Sequence, residues 1–386
     1  MALKDQLCLA LSGAVTVIVA YASSAVIVFN AAHTVGASAS EITSWMWALG
    51  VGMGLSSLLL SLYYKVPLLT AWSTPGAALL VTSLSGVSLH EAIAGFLMCS
   101  FLITLCGVFG LMDKLMGFIP KSLASAMLAG ILLQFVLNIF VAAQAHLVLI
   151  LIMLLFYLLG KYRWPTFNIP LVLIVGIVVS YFSKDLSFNT LHWHLATPIF
   201  IEPAWSYAGI IGVGVPLFIV TMCSQNLPGL AVLQAYRYSV NVSPLITVTG
   251  VTGLFLASFG GFAFNLAAIT AAICMGEDVH PNKNKRYWAA VWAGGFYLLL
   301  GLFAATIAQI LLLFPSALVM GLAGLALLGT FSSSLLAALE GKEIGALFTF
   351  VITASGVTIL HIGSAFWGIM LGLIIYYCID RKCALS

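Results

Sequence analysis

The sequence predicts an all-α polytopic membrane protein of fourteen transmembrane segments, arranged as two inverted halves of seven. Three observations lead there. Of 386 residues, 62% are hydrophobic and 6% are charged, with a mean hydropathy of +1.16; a soluble domain carries about 25% charged residues. Apolar segments fill the whole length and leave no room for a soluble domain. The basic residues sort between alternate links.

Glycine, proline and charged residues punctuate the chain. The first seven segments fall near 7–30, 42–63, 67–86, 91–112, 121–141, 144–160 and 167–182. The first apolar run is too long for a signal peptide and reads as a retained span. A polar link at 183–206 follows, rich in His, Trp and Pro, with the character of an interfacial segment. The remaining segments fall near 207–229, 243–258, 260–276, 287–310, 315–337, 344–360 and 362–379. The division is therefore 1–182 as a first repeat, 183–206 as a link and 207–386 as a second, inverted repeat. With the N-terminus inside, thirteen of the fourteen basic residues lie on cytoplasmic links and only Lys184 lies opposite. A one-span error would scramble that separation, so both termini are expected in the cytoplasm.

A faint internal repeat supports the halving. Ala71–Ala78 (AWSTPGAA) aligns with Gly261–Ala268 (GFAFNLAA), Leu128-Ala129-Gly130 with Leu322-Ala323-Gly324, and a polar break at Tyr21–Ser24 with Ser224-Gln225-Asn226. An odd number of crossings per half inverts the second half.

Chemistry is expected where spans break. In Thr70–Leu80 (TAWSTPGAALL), Thr74 suits a helix N-cap, Pro75 the first helical position, and Gly76 a close backbone approach. Residues 69–73 would be extended, with Trp72 and Ser73 beside a helix start near the membrane midplane. Asn265 is the matching cap of a second half-helix; an ordinary span with a polar kink is the alternative. Helix starts present N–H groups and partial positive charge, which favour an anion. Broken spans of this kind mark substrate sites in transporters. In the eighth span, Gln225 and Asn226 before Pro228-Gly229 read as a polar cavity wall, with helix–helix hydrogen bonding as the alternative. Tyr21, Trp72 and Phe262 lie beside the breaks and offer ring faces.

All eleven acidic residues fall at span ends or in links, which disfavours a cation site. The same absence leaves proton coupling without a carrier, and His361 is the weak candidate. A proton can also enter on the substrate itself. The seven cysteines show no metal-ligand spacing; no metal, cofactor or nucleic-acid partner is expected. No enzyme motif is present.

At Tyr21–Ser24, Leu69–Ala78, Ser224–Gly229, Ala268–Cys274 and Gly363–Gly368 the chain resembles the bacterial benzoate–proton symporter family, end to end. The resemblance implies an inner-membrane, multi-pass secondary transporter taking up benzoate or a similar aromatic carboxylate with protons. It also implies a fold shared with nucleobase carriers and sulfate permeases: core and gate domains, and a short strand plus half-helix in segments 3 and 10. The nucleobase relatives have carboxylates where this chain has Asn226 and near Phe262, so a nucleobase fits poorly here. The expected substrate contacts are Tyr21, Ser24, Trp72, Ser73, Thr74, Pro75, Gly76, Gln225, Asn226, Phe262 and Asn265. The expected partners are that carboxylate, protons and the lipid bilayer, and a homodimer is compatible with such a chain. The competing functions are an anion channel, a carrier of another small organic anion or nucleobase, and, more remotely, a membrane-embedded enzyme.

Overall fold

The computed structural model of the chain describes residues 3–84, 86–111, 120–164, 167–183, 193–276, 279–359 and 364–380. Helices α1 (Leu3–Thr34) and α2 (Ala39–Tyr64) lead into a strand, β1 (Thr70–Trp72), and a half-length helix, α3 (Thr74–Ser83). Helices α4 (Leu89–Val108), α5 (Lys121–Ala145), α6 (Leu147–Arg163) and α7 (Asn168–Phe182) follow. After the link come α8 (Ala208–Ala235), α9 (Val242–Leu256), a second strand, β2 (Phe264–Leu266), and the short helix α10 (Ile269–Met275). The chain continues through α11 (Tyr287–Leu302), α12 (Ala304–Leu313), α13 (Ser316–Leu339), α14 (Ile344–Ser355) and α15 (Ser364–Ile375).

Among the described residues, seven helices are long and apolar enough to cross a membrane, and α11 with α12, bent by 70° at the break between them, makes an eighth when the pair is counted as one span. Helices α6, α7, α14 and α15 and the two strand–helix units account for the rest of the fourteen expected segments. Two acidic residues near helix starts have a local cause. Ser38 with Glu41, and Ser88 with Glu91, form capping boxes that close the N-termini of α2 and α4, so these carboxylates satisfy backbone donors at the membrane edge.

Three expectations are corrected. The first span does not break at Tyr21–Ser24, because α1 is helical throughout. The eighth does not break at Pro228-Gly229. Instead Met222–Asn226 winds as a π-turn, and Pro228 falls in the first turn of the α-helical stretch that follows, where its missing N–H costs little. The eleventh is not straight: the chain leaves helical geometry at Phe303 (φ −95, ψ 21).

Helix packing sorts the bundle into two bodies. Helix α5 lies along α13, and α14 packs on both α5 and α15. In the other body α2 and α1 pack on α11, and α4 packs on α9 and on the start of α8. These correspond to the gate and core domains of the expected fold. The link at 193–206 straps the core: Ala196 donates to Leu302 O (2.8 Å), Ile201 to Ser258 O (2.7 Å) and Ala204 to His90 O (2.9 Å). Its Trp193, Phe200 and Trp205 side chains are exposed, as interfacial aromatic anchors are.

Candidate substrate site

The two strands pair antiparallel, with Thr70 opposite Leu266, Ala71 opposite Asn265 and Trp72 opposite Phe264. Extended backbone inside a bilayer must find a partner for every polar group, or each orphan costs several kcal/mol. Each strand gives the other one edge. The second edge of β1 is satisfied by serines of α2. Thr70 N–H donates to Ser57 Oγ (2.9 Å), Ser61 Oγ donates to Leu68 O (2.8 Å), and the Thr70 hydroxyl lies 2.6 Å from Ser56 Oγ. The second edge of β2 rests on α8, where Leu266 N–H donates to Asn226 Oδ1 (2.9 Å). Gly229 makes that approach possible, since a Cβ there would come within 2.8 Å of Leu266 O.

Because the strands run antiparallel, α3 follows β1 and α10 follows β2 from opposite ends of this ribbon. Their caps differ from those expected. Ser73, not Thr74, caps α3: its Oγ accepts from Gly76 N–H (3.0 Å) and its carbonyl from Ala77 N–H (2.7 Å). Pro75 sits one position further in and has no N–H. Among the described residues this leaves Thr74, half-buried at the first helical position, with the free N–H of that turn.

Asn265 does not cap the second half-helix. It sits mid-strand, and α10 starts at Ile269 with no side-chain cap. The expected repeat alignment was therefore four residues out of register. Asn265 Nδ2 donates to the carbonyl of Ala263 (3.0 Å), which holds left-handed backbone at φ 47; a residue with a Cβ pays roughly 1–2 kcal/mol for that conformation. Asn265 Oδ1 is buried and has no partner among the described residues.

Side chains alternate across a ribbon, so Trp72 and Phe264 share one face while Ala71 and Asn265 share the other. Trp72 is buried against α1. Its Nε1–H donates to Ser24 Oγ (2.8 Å) and its ring meets Tyr21 edge-on at 5.0 Å. Tyr21 in turn lies 6.2 Å from Tyr297 of α11, and both hydroxyls are buried without partners among the described residues. Phe262 does not join this group. It packs with Phe96 (5.4 Å) and Trp45 (6.0 Å) in a separate cluster and is fully buried.

The structure thus redistributes the expected contacts. Tyr21, Thr74 and Gln225 are half-buried. Ser24, Ser73 and Asn226 spend their polar atoms inside the protein. Asn226 is completely buried, with Nδ2 against Met222 Sδ at 3.1 Å, so it braces β2. Pro75 and Gly76 are buried in the first turn of α3. His361 lies outside the described residues. The sequence reading missed Ser56, Ser57 and Ser61, which hold β1, and Tyr297.

Comparison with known proteins places this geometry in a lineage. The family model described as benzoate membrane transport protein matches residues 4–378. The chain is 46% identical to Inner membrane protein YdcO of Escherichia coli over 96% of its own length and 95% of that protein. It is 38% identical to the Benzoate membrane transport protein of Acinetobacter baylyi over 95% of its length and 94% of that protein. Among solved structures, the transmembrane domain of the cyanobacterial bicarbonate transporter BicA is similar with a TM-score of 0.63, at 13% identity, over 97% of this chain and 98% of that one. SLC26A9 is similar with a TM-score of 0.63, at 14% identity, over 98% of this chain and 66% of that one. Those two likenesses establish the fold, with its seven-plus-seven inverted repeat. The family match and the relatives make this a multi-pass inner membrane protein and a transporter, not an enzyme: the chain belongs to the benzoate membrane transport protein family.

Proposed function

We propose that this transporter takes up benzoate or a similar aromatic carboxylate together with a proton, with both termini in the cytoplasm. The observation that carries the reading is the buried acceptor Asn265 Oδ1 in the strand crossing, without a partner among the described residues, within elements that contain no carboxylate and no basic residue. The strand–helix units and α8 lack Asp, Glu, Lys, Arg and His throughout Thr70–Ser83, Ala208–Ala235 and Phe264–Met275. No side chain there exchanges a proton at neutral pH, so the substrate carboxyl is the group that titrates.

An aromatic carboxylic acid titrates near the range of Glu, about 4.3, and is mostly ionised in bulk water. A site offering one acceptor beside a few neutral donors favours the acid form. The carboxyl O–H would donate to Asn265 Oδ1, and the carboxyl C=O would accept from Thr74 N–H or the Gln225 amide. Tyr21 lies on the opposite face of the ribbon from Asn265, against Trp72 and Ser24, so it would wall the site from behind, while Asn226, Ser73, Pro75 and Gly76 would fix the backbone. Neutralising the guest lowers the cost of carrying it through a low-dielectric site. Transport would follow from movement of the core against the gate around this crossing.

Uptake of labelled benzoate into proteoliposomes tests the reading. An inward proton gradient is expected to drive accumulation, and an ionophore to abolish it. Benzenesulfonate, ionised at any working pH, is expected to stay outside. Benzoate uptake indifferent to the gradient overturns proton coupling, and channel-like flux without counter-exchange overturns the carrier. Gradient-driven entry of the sulfonate overturns carriage of the proton on the substrate.

A further inference from the structure

A cavity away from the strand crossing has no role in the account above. It lies where α1 and α3 of the core face α5 and α13 of the gate, has about 50 Å³ of room, and is lined on its polar side by Asn30, Gln134 and Asn138. Phe135, Val81 and Met320 supply apolar wall. Along α3 it sits beside Thr82, eight residues beyond Thr74, or about 12 Å from the crossing at 1.5 Å per residue. Asn30 lies near the C-terminal end of α1, on the side the basic links avoid and hence the outer side in the orientation proposed above.

Three carboxamides from membrane-spanning helices converge on one space. Amides cost several kcal/mol in hydrocarbon unless they meet water, each other or a ligand. Gln134 is exposed and Asn30 and Asn138 are half-buried, and the room suffices for more than one water. Their orientation is partly fixed: Gln134 Nε2–H donates to Asn138 Oδ1 at 3.1 Å, one turn apart on α5. That bond engages the Asn138 acceptor and leaves its NH2 group as a donor without a partner among the described residues. The lining holds no charged side chain, and the Thr82 hydroxyl is already spent on Leu79 O (2.8 Å). What remains is a neutral pocket with spare amide donors beside an aromatic ring.

We propose that this cavity is an entry subsite for a small aromatic carboxylate, occupied before the guest reaches the strand crossing. The carboxylate is held by the amides of Asn138 and Asn30, and its ring lies on Phe135 and Val81. Because the ligand bridges core and gate, its capture is coupled to their relative position. The assignment rests on the benzoate reading above.

The test uses the full-length protein in oriented vesicles, right-side-out and inside-out, with labelled benzoate as the probe. For Asn138→Leu and Asn30→Leu, the half-saturating concentration for entry from the outer side is expected to rise roughly tenfold, about the effect of removing one hydrogen bond to a charged group. Entry from the inner side should keep its wild-type value. Asn138→Asp, which preserves size and polarity, should impair outer-side entry more than Asn138→Leu by repelling the carboxylate, and it serves if the leucine variant fails to fold. Unchanged outer-side half-saturation in folded variants overturns the subsite, as does an equal shift from both sides. A wild-type protein that moves no benzoate would instead remove the functional reading itself.

Discussion

Asn226 shows how one side chain can look like a ligand and act as a brace. An amide in mid-membrane next to Pro-Gly invites a role in substrate contact. Here its Oδ1 accepts the Leu266 N–H at 2.9 Å and its Nδ2 lies against Met222 Sδ, with no surface exposed. Asn226→Leu would bury the Leu266 N–H without an acceptor, a loss of about 1–3 kcal/mol. The expected outcome is a lower midpoint of thermal unfolding in detergent, accompanied by loss of uptake. An unchanged midpoint with only a raised half-saturating concentration would put Asn226 on the substrate after all. Asn265 is the opposite case. Its amide N–H donates to Ala263 O and its acceptor has no partner among the described residues, which is the polarity an acid O–H would meet.

At the scale of elements, the two strands expose what local sequence signals can and cannot carry. The break at Thr70–Gly76 was legible because Pro75 and neighbouring hydroxyls are short-range cues; only the cap moved, by one residue, to Ser73. The second break was legible as a break but not in register. Asn265 imitates a cap, whereas it sits inside the three-residue strand Phe264–Leu266, which is too short and too uniformly buried for a period of two to mark it. The serines of α2 were illegible. A serine in an apolar helix ordinarily bonds its own preceding turn, as Ser56 also does to Gly52 O, and nothing local says that it faces a strand. Ser57→Ala tests their role. It removes the acceptor of Thr70 N–H and should cost about 1–3 kcal/mol. Because β1 carries Trp72, intrinsic tryptophan emission should shift along with the unfolding midpoint. A Ser57→Ala protein as stable as wild type would mean that the α2 edge contributes nothing to holding the strand.

At the scale of the whole molecule, the division into two bodies makes a mechanical prediction. The bonds that tie helices together at their link ends stay within one body: Ser122 at the start of α5 donates to Glu343 before α14, and Asp380 accepts from the N–H groups of Ile344 and Gly345. The outer cavity, by contrast, is shared by Val81 on α3 of the core and Met320 on α13 of the gate. If transport requires one body to move against the other, a covalent bridge across that seam should stop it and a bridge inside the gate should not. With the native cysteines replaced, Val81→Cys with Met320→Cys joined by a short bifunctional thiol reagent is expected to lose uptake. A cleavable reagent should allow recovery on reduction. Ser122→Cys with Glu343→Cys, joined in the same way, should keep most of its uptake, because those positions already touch and travel together. Full turnover in the cross-linked Val81–Met320 pair would mean that the seam does not open during transport. The two-body mechanism would then have to give way to a rearrangement confined to the strand crossing.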